Sequence, residues 1–170
     1  MQSSIQVGVN GAAVWVKVEG KGNFLNSGNL KEFAREMVNR GYREFVVDLE
    51  NCAMMDSTFM GTMAGVALRL RELGHGNLHV VRCGQRSREL LTGLGLDQIF
   101  SIHANGAAGP ECEILAAAPP PEPAVAKEVQ AQQMLDAHEA LCEAAPENFS
   151  RFKDVLDYLK QDLQHEPATK

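Results

Sequence analysis

The residues of this chain best placed to do chemistry are Asp56, Ser57 and Thr58, which follow one another directly. They come after the apolar segment 45–49, which reads as a buried strand, and they open the Met- and Ala-rich segment 57–73, which reads as a helix. The triplet therefore places a carboxylate and two hydroxyls at a helix N-terminus, where unpaired backbone N–H groups attract negative charge.

Two interpretations of Ser57 are open from this pattern. As an N-cap, its hydroxyl would contribute about 1 kcal/mol to stability. As a phosphate acceptor, it would gain about −1.5 to −2 charges. The helix N-terminus would favour that charge by about 0.3–1 kcal/mol. Phosphorylation would therefore leave the domain folded, and its effect would have to be felt by a partner protein.

Other catalytic patterns are missing from the sequence. No Gly-x-Ser-x-Gly surrounds Ser57, and neither a phosphate-binding loop nor a Gly-x-Gly-x-x-Gly motif is present. No histidine is placed next to Ser57 in the sequence, and His75, His79 and His103 are scattered. The four cysteines form no Cys-x-x-Cys pair, which favours reduced thiols over zinc. We therefore predict a protein that is not an enzyme and has no metal or cofactor.

Composition excludes further classes of function. The net charge of −6 is concentrated in the C-terminal third, so neither half has the positive field that nucleic acid requires. No segment has the roughly 20 apolar residues of a membrane span, and the first residues do not resemble a signal peptide. We expect a cytoplasmic protein with no direct nucleic-acid contact.

The elements that position the triplet alternate between strands and helices. Asn10-Gly11 predicts a hairpin between two N-terminal strands, and the glycine-containing segment 20–28 reads as a loop. Apolar residues at helical spacing predict a helix that ends at Gly41. The remaining predicted elements are a strand at 77–82, a short helix at 85–94 and a final strand at 99–102. This order predicts an α/β fold with a mixed sheet of four to five strands and helices packed against it.

The C-terminal region has a different composition. The run 116–123, Ala-Ala-Ala-Pro-Pro-Pro-Glu-Pro, is typical of an extended linker. Two helices are predicted at 125–143 and 147–164, and one of them carries an apolar stripe that cannot be buried by two helices alone. We expect it to pack on the domain or to form a homodimer. The stripe consists of Phe149, Phe152, Leu156, Leu159 and Leu163. The predicted boundaries are 1–108 for the domain, 109–124 for the linker and 125–170 for the helical extension.

Three segments in this order resemble the STAS domain family, in its bacterial anti-sigma factor antagonist type. They are the strand Val46-Val47-Asp48-Leu49, the turn Met55-Asp56-Ser57-Thr58 with Gly61 behind it, and the segment Leu94-Gly95-Leu96-Asp97-Gln98-Ile99-Phe100. The resemblance covers about residues 5–105 and implies a STAS-like fold.

The resemblance also implies a function as a partner switch. In that family an anti-sigma factor serine kinase phosphorylates the serine after the aspartate, and a PPM-type phosphatase removes the phosphate. The unphosphorylated domain sequesters the kinase and so frees a sigma factor. Ser57 matches the phosphoacceptor, and Asp56 and Thr58 match its neighbours. At the position where many members carry a loop aspartate, this chain reads Phe24-Leu25-Asn26-Ser27.

The predicted partner-binding residues are Asp56, Ser57, Thr58, Met60, Asn26 and Ser27. Met60 is included because it lies one helical turn from Ser57. The alternative is a phosphorylation-independent STAS scaffold or accessory subunit, which would bind an ABC-transporter ATPase or a signalling complex.

Overall fold

The computed structural model describes residues 4–103 and 127–165. Six strands and five helices alternate along these two segments, and a single 3₁₀ turn, Leu96–Gln98, precedes the last strand. In chain order the elements are β1 Ser4–Asn10, β2 Ala13–Gly22, α1 Phe24–Asn39, β3 Glu44–Asp48, β4 Cys52–Met55, α2 Ser57–Glu72, β5 Asn77–Val81, α3 Gln85–Gly93, β6 Ser101–Ile102, α4 Lys127–Ala144 and α5 Asn148–His165.

The sheet is mixed, as the alternation of elements predicts. Its main order is β1-β2-β3-β5-β6, and β4 pairs with the end of β2. The β1–β2 pair is antiparallel, whereas the remaining pairs are parallel. The predicted α/β architecture with a mixed sheet is thus confirmed, with β4 as the strand beyond the predicted four to five.

The main core lies between one face of the sheet and the helices. Alternate residues of β2 and β3, such as Val16 and Val47, join Leu30 of α1 and Met63 of α2 in this core. The intervening residues point to the opposite face, where a smaller cluster lies. Because β3 is buried on both of its faces, it reads as a continuous apolar run. The smaller cluster consists of Ala13, Trp15, Val46 and Val81.

The structure corrects four local predictions. The hairpin exists, but its two linking residues are Gly11 and Ala12, with Gly11 at a φ of 61°. The predicted loop at 20–28 is instead the end of β2 and the start of α1. The β4 strand was not predicted, because its four residues do not alternate in polarity. Only Ser101–Ile102 of the predicted strand 99–102 forms a strand, because the 3₁₀ turn at Leu96–Gln98 delays its start.

The C-terminal helices pack on the domain. Leu141 of α4 is fully buried in the main core cluster, and α4 lies against α2. Helix α5 packs on α4 through Leu156 and Leu159, while Phe152 is partly buried against both clusters. Phe149 departs from the predicted stripe, because 54% of it is exposed.

The predicted linker lies outside the described residues, and its extended character stays a prediction. In the segments that are described, no helix is both long enough and apolar enough to cross a bilayer.

Candidate functional site

Asp56 joins the N-termini of α1 and α2. Its Oδ1 accepts a hydrogen bond of 2.8 Å from the backbone N–H of Phe59, and its Oδ2 accepts one of 2.9 Å from that of Phe24. Its own backbone N–H donates to the Gly22 carbonyl. Asp56 is therefore the N-cap of α2, and the interpretation of Ser57 as the cap is wrong. Ser57 is the first residue inside the helix, so its hydroxyl is not needed to cap the helix N-terminus.

The Ser57 hydroxyl contacts a residue that the sequence did not place near it. Ser57 Oγ lies 2.9 Å from Nε2 of His138, in α4. The other ring nitrogen, Nδ1, lies 2.6 Å from the Met134 carbonyl one turn earlier in the same helix. A carbonyl only accepts, so Nδ1 carries the proton and Nε2 accepts from the Ser57 hydroxyl. The 81 residues between the two partners explain why no local pattern revealed the pair.

This serine–histidine pair has one feature of an activated serine nucleophile, but its surroundings differ from those of a hydrolase site. An imidazole that accepts from a serine hydroxyl is the arrangement that activates serine in hydrolases. Here, however, the Phe152 ring packs edge-on against His138, with 5.1 Å between ring centroids. The Phe59 amide at the helix end is bonded to Asp56 and is not available to an oxyanion. The geometry therefore fits a contact that holds α4 against α2 better than it fits an acyl-transfer site.

Helix α4 approaches α2 closely beside this pair. A Cβ added at Gly61 would lie 2.2 Å from the backbone oxygen of Ala137, so only glycine permits the observed separation. One turn further along, a Cβ at Gly65 would meet only the Ala140 methyl, at 3.9 Å. A cavity of about 480 Å³ opens between α1, α2 and α4, and neither Ser57 nor His138 lines it.

Four of the predicted partner-binding residues have little accessible surface in this conformation. Thr58 and Met60 are buried within α2, and Met60 belongs to the main core. Asn26 accepts from the Asn23 backbone N–H and donates to the Lys21 carbonyl, which completes the cap of α1. Ser27 is buried and donates to the Phe24 carbonyl. Their contact with a partner stays a prediction.

Exposed apolar side chains lie instead in the segments that meet at Asp56. Leu25 is 66% exposed, and Phe24 and Met54 are more than one third exposed. Large apolar side chains at the surface beside a polar anchor are typical of protein-binding sites. Met60, the methionine predicted to bind a partner, is buried, whereas Met54 is exposed.

Other groups of polar residues have structural partners. Asp48 is fully buried at the end of β3, where it accepts from the Arg82 guanidinium and from the Glu50 backbone N–H. His79 bonds with both His103 and Glu44. Among the residues that the structure describes, no three histidine, cysteine or acidic side chains converge to hold a metal ion.

The described cysteines are free thiols of low reactivity. Burial raises the pKa of the Cys52, Cys83 and Cys142 thiols above the ordinary value. Since the thiolate is the reactive form, none of the three has the lowered pKa of a redox-active cysteine. This agrees with the expected reduced thiols.

Comparison with known proteins defines the class. The sequence matches the STAS domain family over residues 4–108, and the chain belongs to this family. The match includes Asp56 and Ser57 and ends before α4 and α5. Among proteins with curated descriptions, none matches the sequence significantly.

Solved structures share the fold at low sequence identity. A putative anti-sigma factor antagonist from Thermotoga maritima has a TM-score of 0.55 and 18% identity, covering 60% of this chain and 87% of its own. The unphosphorylated anti-sigma factor antagonist SpoIIAA has a TM-score of 0.51 and 14% identity, covering 62% of this chain and 90% of its own. Phosphorylated SpoIIAA from Bacillus has a TM-score of 0.50 and 16% identity, covering 59% and 92%. These identities support a common fold and nothing finer.

Proposed function

We propose that this protein is an anti-sigma factor antagonist that acts as a non-enzymatic partner switch. In its unphosphorylated form it binds an anti-sigma factor serine kinase through the surface around Asp56 and Ser57. Phosphorylation of Ser57 by that kinase releases it, and a PPM-type phosphatase restores the binding form. The cytoplasm is where such a switch would act, since sigma factors work there.

The observation that carries this proposal is the position of Ser57 in a STAS fold. It is the first residue of α2, and Asp56 rather than Ser57 caps the helix, so phosphorylation would remove no capping bond. The structurally similar proteins include the antagonist SpoIIAA, whose structure has been solved in both its unphosphorylated and its phosphorylated form. The exposed apolar residues Phe24, Leu25 and Met54 supply the contact area that a partner protein would bury.

Charge explains how one phosphate would reverse the binding. A phosphoserine at 57 adds about −1.5 to −2 charges next to the Asp56 carboxylate. The helix N-terminus tolerates this charge in water. In an interface that had accommodated a neutral hydroxyl, the same charge would have to lose its hydration without a partner, which weakens binding.

The test is phosphate transfer from ATP. The kinase encoded nearest the gene is incubated with the protein, and intact mass is measured for the wild type, Ser57→Ala and Thr58→Ala. We expect one phosphate on the wild type and on Thr58→Ala, and none on Ser57→Ala. Equal phosphorylation of Ser57→Ala would exclude Ser57 as the acceptor.

One observation favours the alternative, a phosphorylation-independent scaffold. The Ser57 hydroxyl already has a partner in His138, so its role in this chain could be to hold α4 in place. In that case Ser57→Asp would leave the binding of an ABC-transporter ATPase or signalling partner unchanged in a pull-down. The partner switch requires at least a tenfold loss of kinase binding in the same variant.

A further inference from the structure

Helices α4 and α5 and the turn between them, here called the C-terminal hairpin, cover the site assigned to phosphorylation. Among the described residues, four polar contacts join the hairpin to the domain in addition to the buried Leu141, and one of them is a hydrogen bond that the Arg151 guanidinium donates to the Gly93 carbonyl. His138 accepts from Ser57, Asp136 pairs with Lys31 at 3.1 Å, and Asn148 donates to the Leu94 carbonyl at 2.8 Å. The family match ends at residue 108, so this hairpin is an addition to the STAS domain rather than part of it.

The contact at Ser57 conflicts with phosphate transfer. A kinase must bring the γ-phosphoryl group of ATP in line with the serine oxygen, at the distance of a reacting pair. In this structure His138 Nε2 stands 2.9 Å from that oxygen and is hydrogen-bonded to it, so the imidazole fills one side of the approach to Oγ. A phosphate on Ser57 Oγ would need room for three further oxygens beside this imidazole. The docked hairpin and a phosphate on Ser57 therefore compete for the same space.

The C-terminal hairpin has features of a structural unit that can separate from the domain. Its two helices share an apolar cluster of their own, made of Ala131, Leu135, Leu156 and Leu159. The family match, which covers the domain with its sheet and helices α1 to α3, does not include the hairpin. The chain between the domain and α4 includes the proline-rich run that the sequence predicts to be an extended linker.

We propose that the C-terminal hairpin is an intramolecular competitor of the kinase: it occupies Ser57 and the adjoining face of α2, and it must move away before Ser57 is bound and phosphorylated. This inference rests on the proposed function. The chain would then have a closed state, in which His138 holds Ser57, and an open state, which binds the kinase. Phosphorylation of Ser57 would keep the hairpin from closing again.

Gly61 offers a way to open the hairpin from the domain side. The three atoms nearest to an added Cβ all belong to Ala137, so Gly61→Ala collides with the α4 backbone. Alanine also favours the α2 helix itself. Gly65→Ala is the matched control, since it adds the same methyl group to the same helix, where only the Ala140 methyl lies within 4 Å.

The first experiment measures access to position 57 without any partner. In the full chain with Ser57→Cys, alkylation of residue 57 by iodoacetamide is followed by peptide mass spectrometry, and buried Cys83 serves as an internal reference for unfolding. We expect labelling at least tenfold faster with Gly61→Ala than with Gly65→Ala or with neither change. Equal rates in all three proteins would overturn the inference.

A second experiment separates this inference from the proposed function. With Ser57 retained, the wild type, Gly61→Ala and Gly65→Ala are incubated with ATP and the kinase encoded nearest the gene. We expect Gly61→Ala to accept phosphate at least tenfold faster than the other two. Equal phosphorylation of all three, despite faster labelling, would overturn the competition with the kinase. Faster labelling with no phosphate on any protein would support the closure and refute Ser57 as the acceptor.

Discussion

Two adjacent residues, Asp56 and Ser57, make contacts of different kinds. The Asp56 carboxylate accepts from two backbone N–H groups that belong to different helices, so it fixes where α1 and α2 begin. The Ser57 hydroxyl is left with one partner, His138. A change at Asp56 should therefore affect stability, whereas a change at Ser57 should affect binding and hairpin closure.

We predict that Asp56→Ala lowers the free energy of unfolding by about 2 kcal/mol, because two backbone donors lose their acceptor. Asp56→Asn keeps one amide oxygen and should lose about half as much. Urea unfolding followed by circular dichroism measures both variants. Exposed Asp97, which caps no helix, provides the control Asp97→Ala, expected to stay within about 0.5 kcal/mol of wild type. If Asp56→Ala matched Asp97→Ala, the capping role would be refuted.

At the scale of elements, the entry of α2 depends on a close fit between β2 and the helix. The Phe59 ring is fully buried and lies over Gly22, where an added Cβ would be 2.6 Å from its Cδ2 atom. The large side chain next to the Asp-Ser-Thr triplet is thus accommodated by a glycine 37 positions earlier in the chain. This pairing also places the end of β2 beside Asp56.

We predict that Gly22→Ala destabilises the domain by about 1–3 kcal/mol, since the new methyl group overlaps a ring that cannot move out of the core. Adding Phe59→Leu should recover part of this loss, which a double-mutant cycle measures. Gly93→Ala is the control, because nothing lies within 4 Å of its added Cβ. A loss equal to that of Gly93→Ala would contradict the fit described here.

The hairpin's attachment gives a second prediction for the elements. Leu141 of α4 is fully buried among residues of the domain core, so Leu141→Ala leaves a cavity at the interface. We expect a loss of about 2–5 kcal/mol in the free energy of unfolding if hairpin and domain unfold together. Half-exposed Val129 in the same helix gives the control Val129→Ala, expected to change stability by less than about 0.5 kcal/mol. Equal midpoints for the two variants would show that the hairpin contributes nothing to the stability of the domain.

At the scale of the whole molecule, the protein has three layers: the sheet, the helices α1 to α3, and the hairpin on top of α2. Each described free cysteine reports on a different part, namely Cys83 in the core, Cys52 in β4 and Cys142 in α4. Because burial raises all three thiol pKa values, each thiol is protonated at neutral pH to a greater extent than a free cysteine.

We therefore predict slow alkylation at pH 7, with a rate that levels off at a higher pH than that of a free cysteine. A thiol pKa that is raised in the folded state also makes the free energy of unfolding depend on pH. The contribution of the thiol is present at neutral pH and is lost as the pH rises through the raised pKa. Iodoacetamide labelling mapped by mass spectrometry should find Cys83 slowest, since it needs global unfolding. In concentrated urea the differences should vanish; their persistence there would assign them to something other than burial.

The structure changes which residues of α5 are available to the predicted homodimer. The sequence predicts that the α5 stripe packs on the domain or on a second copy, and the structure buries Leu156 and Leu159 within the chain. Phe149, Val155 and Tyr158 are the large apolar residues of α5 that are left exposed. A dimer through the C-terminal helices would use Phe149, the exposed member of the predicted stripe, together with Val155 and Tyr158.

Much of this protein follows from local sequence patterns. Hydrophobic periodicity and capping residues determined α1, α2, β3 and β5, since these signals act over a few neighbouring residues. The Asp-Ser-Thr triplet after an apolar strand determined that a polar site stands at the start of α2. The order of the elements predicted the α/β class, and three sequence segments in that order supported the resemblance to the STAS family.

The tertiary structure decided what surrounds the triplet. That Asp56 accepts backbone N–H groups from two helices depends on β2 bringing Phe24 to it, and that Ser57 meets His138 depends on α4 returning across α2. Contacts over 32 and 81 residues leave no periodic trace in the sequence, because they are set by how layers pack rather than by neighbouring propensities. The sequence by itself determined a serine at a helix start; only packing decided that this serine contacts His138 of α4.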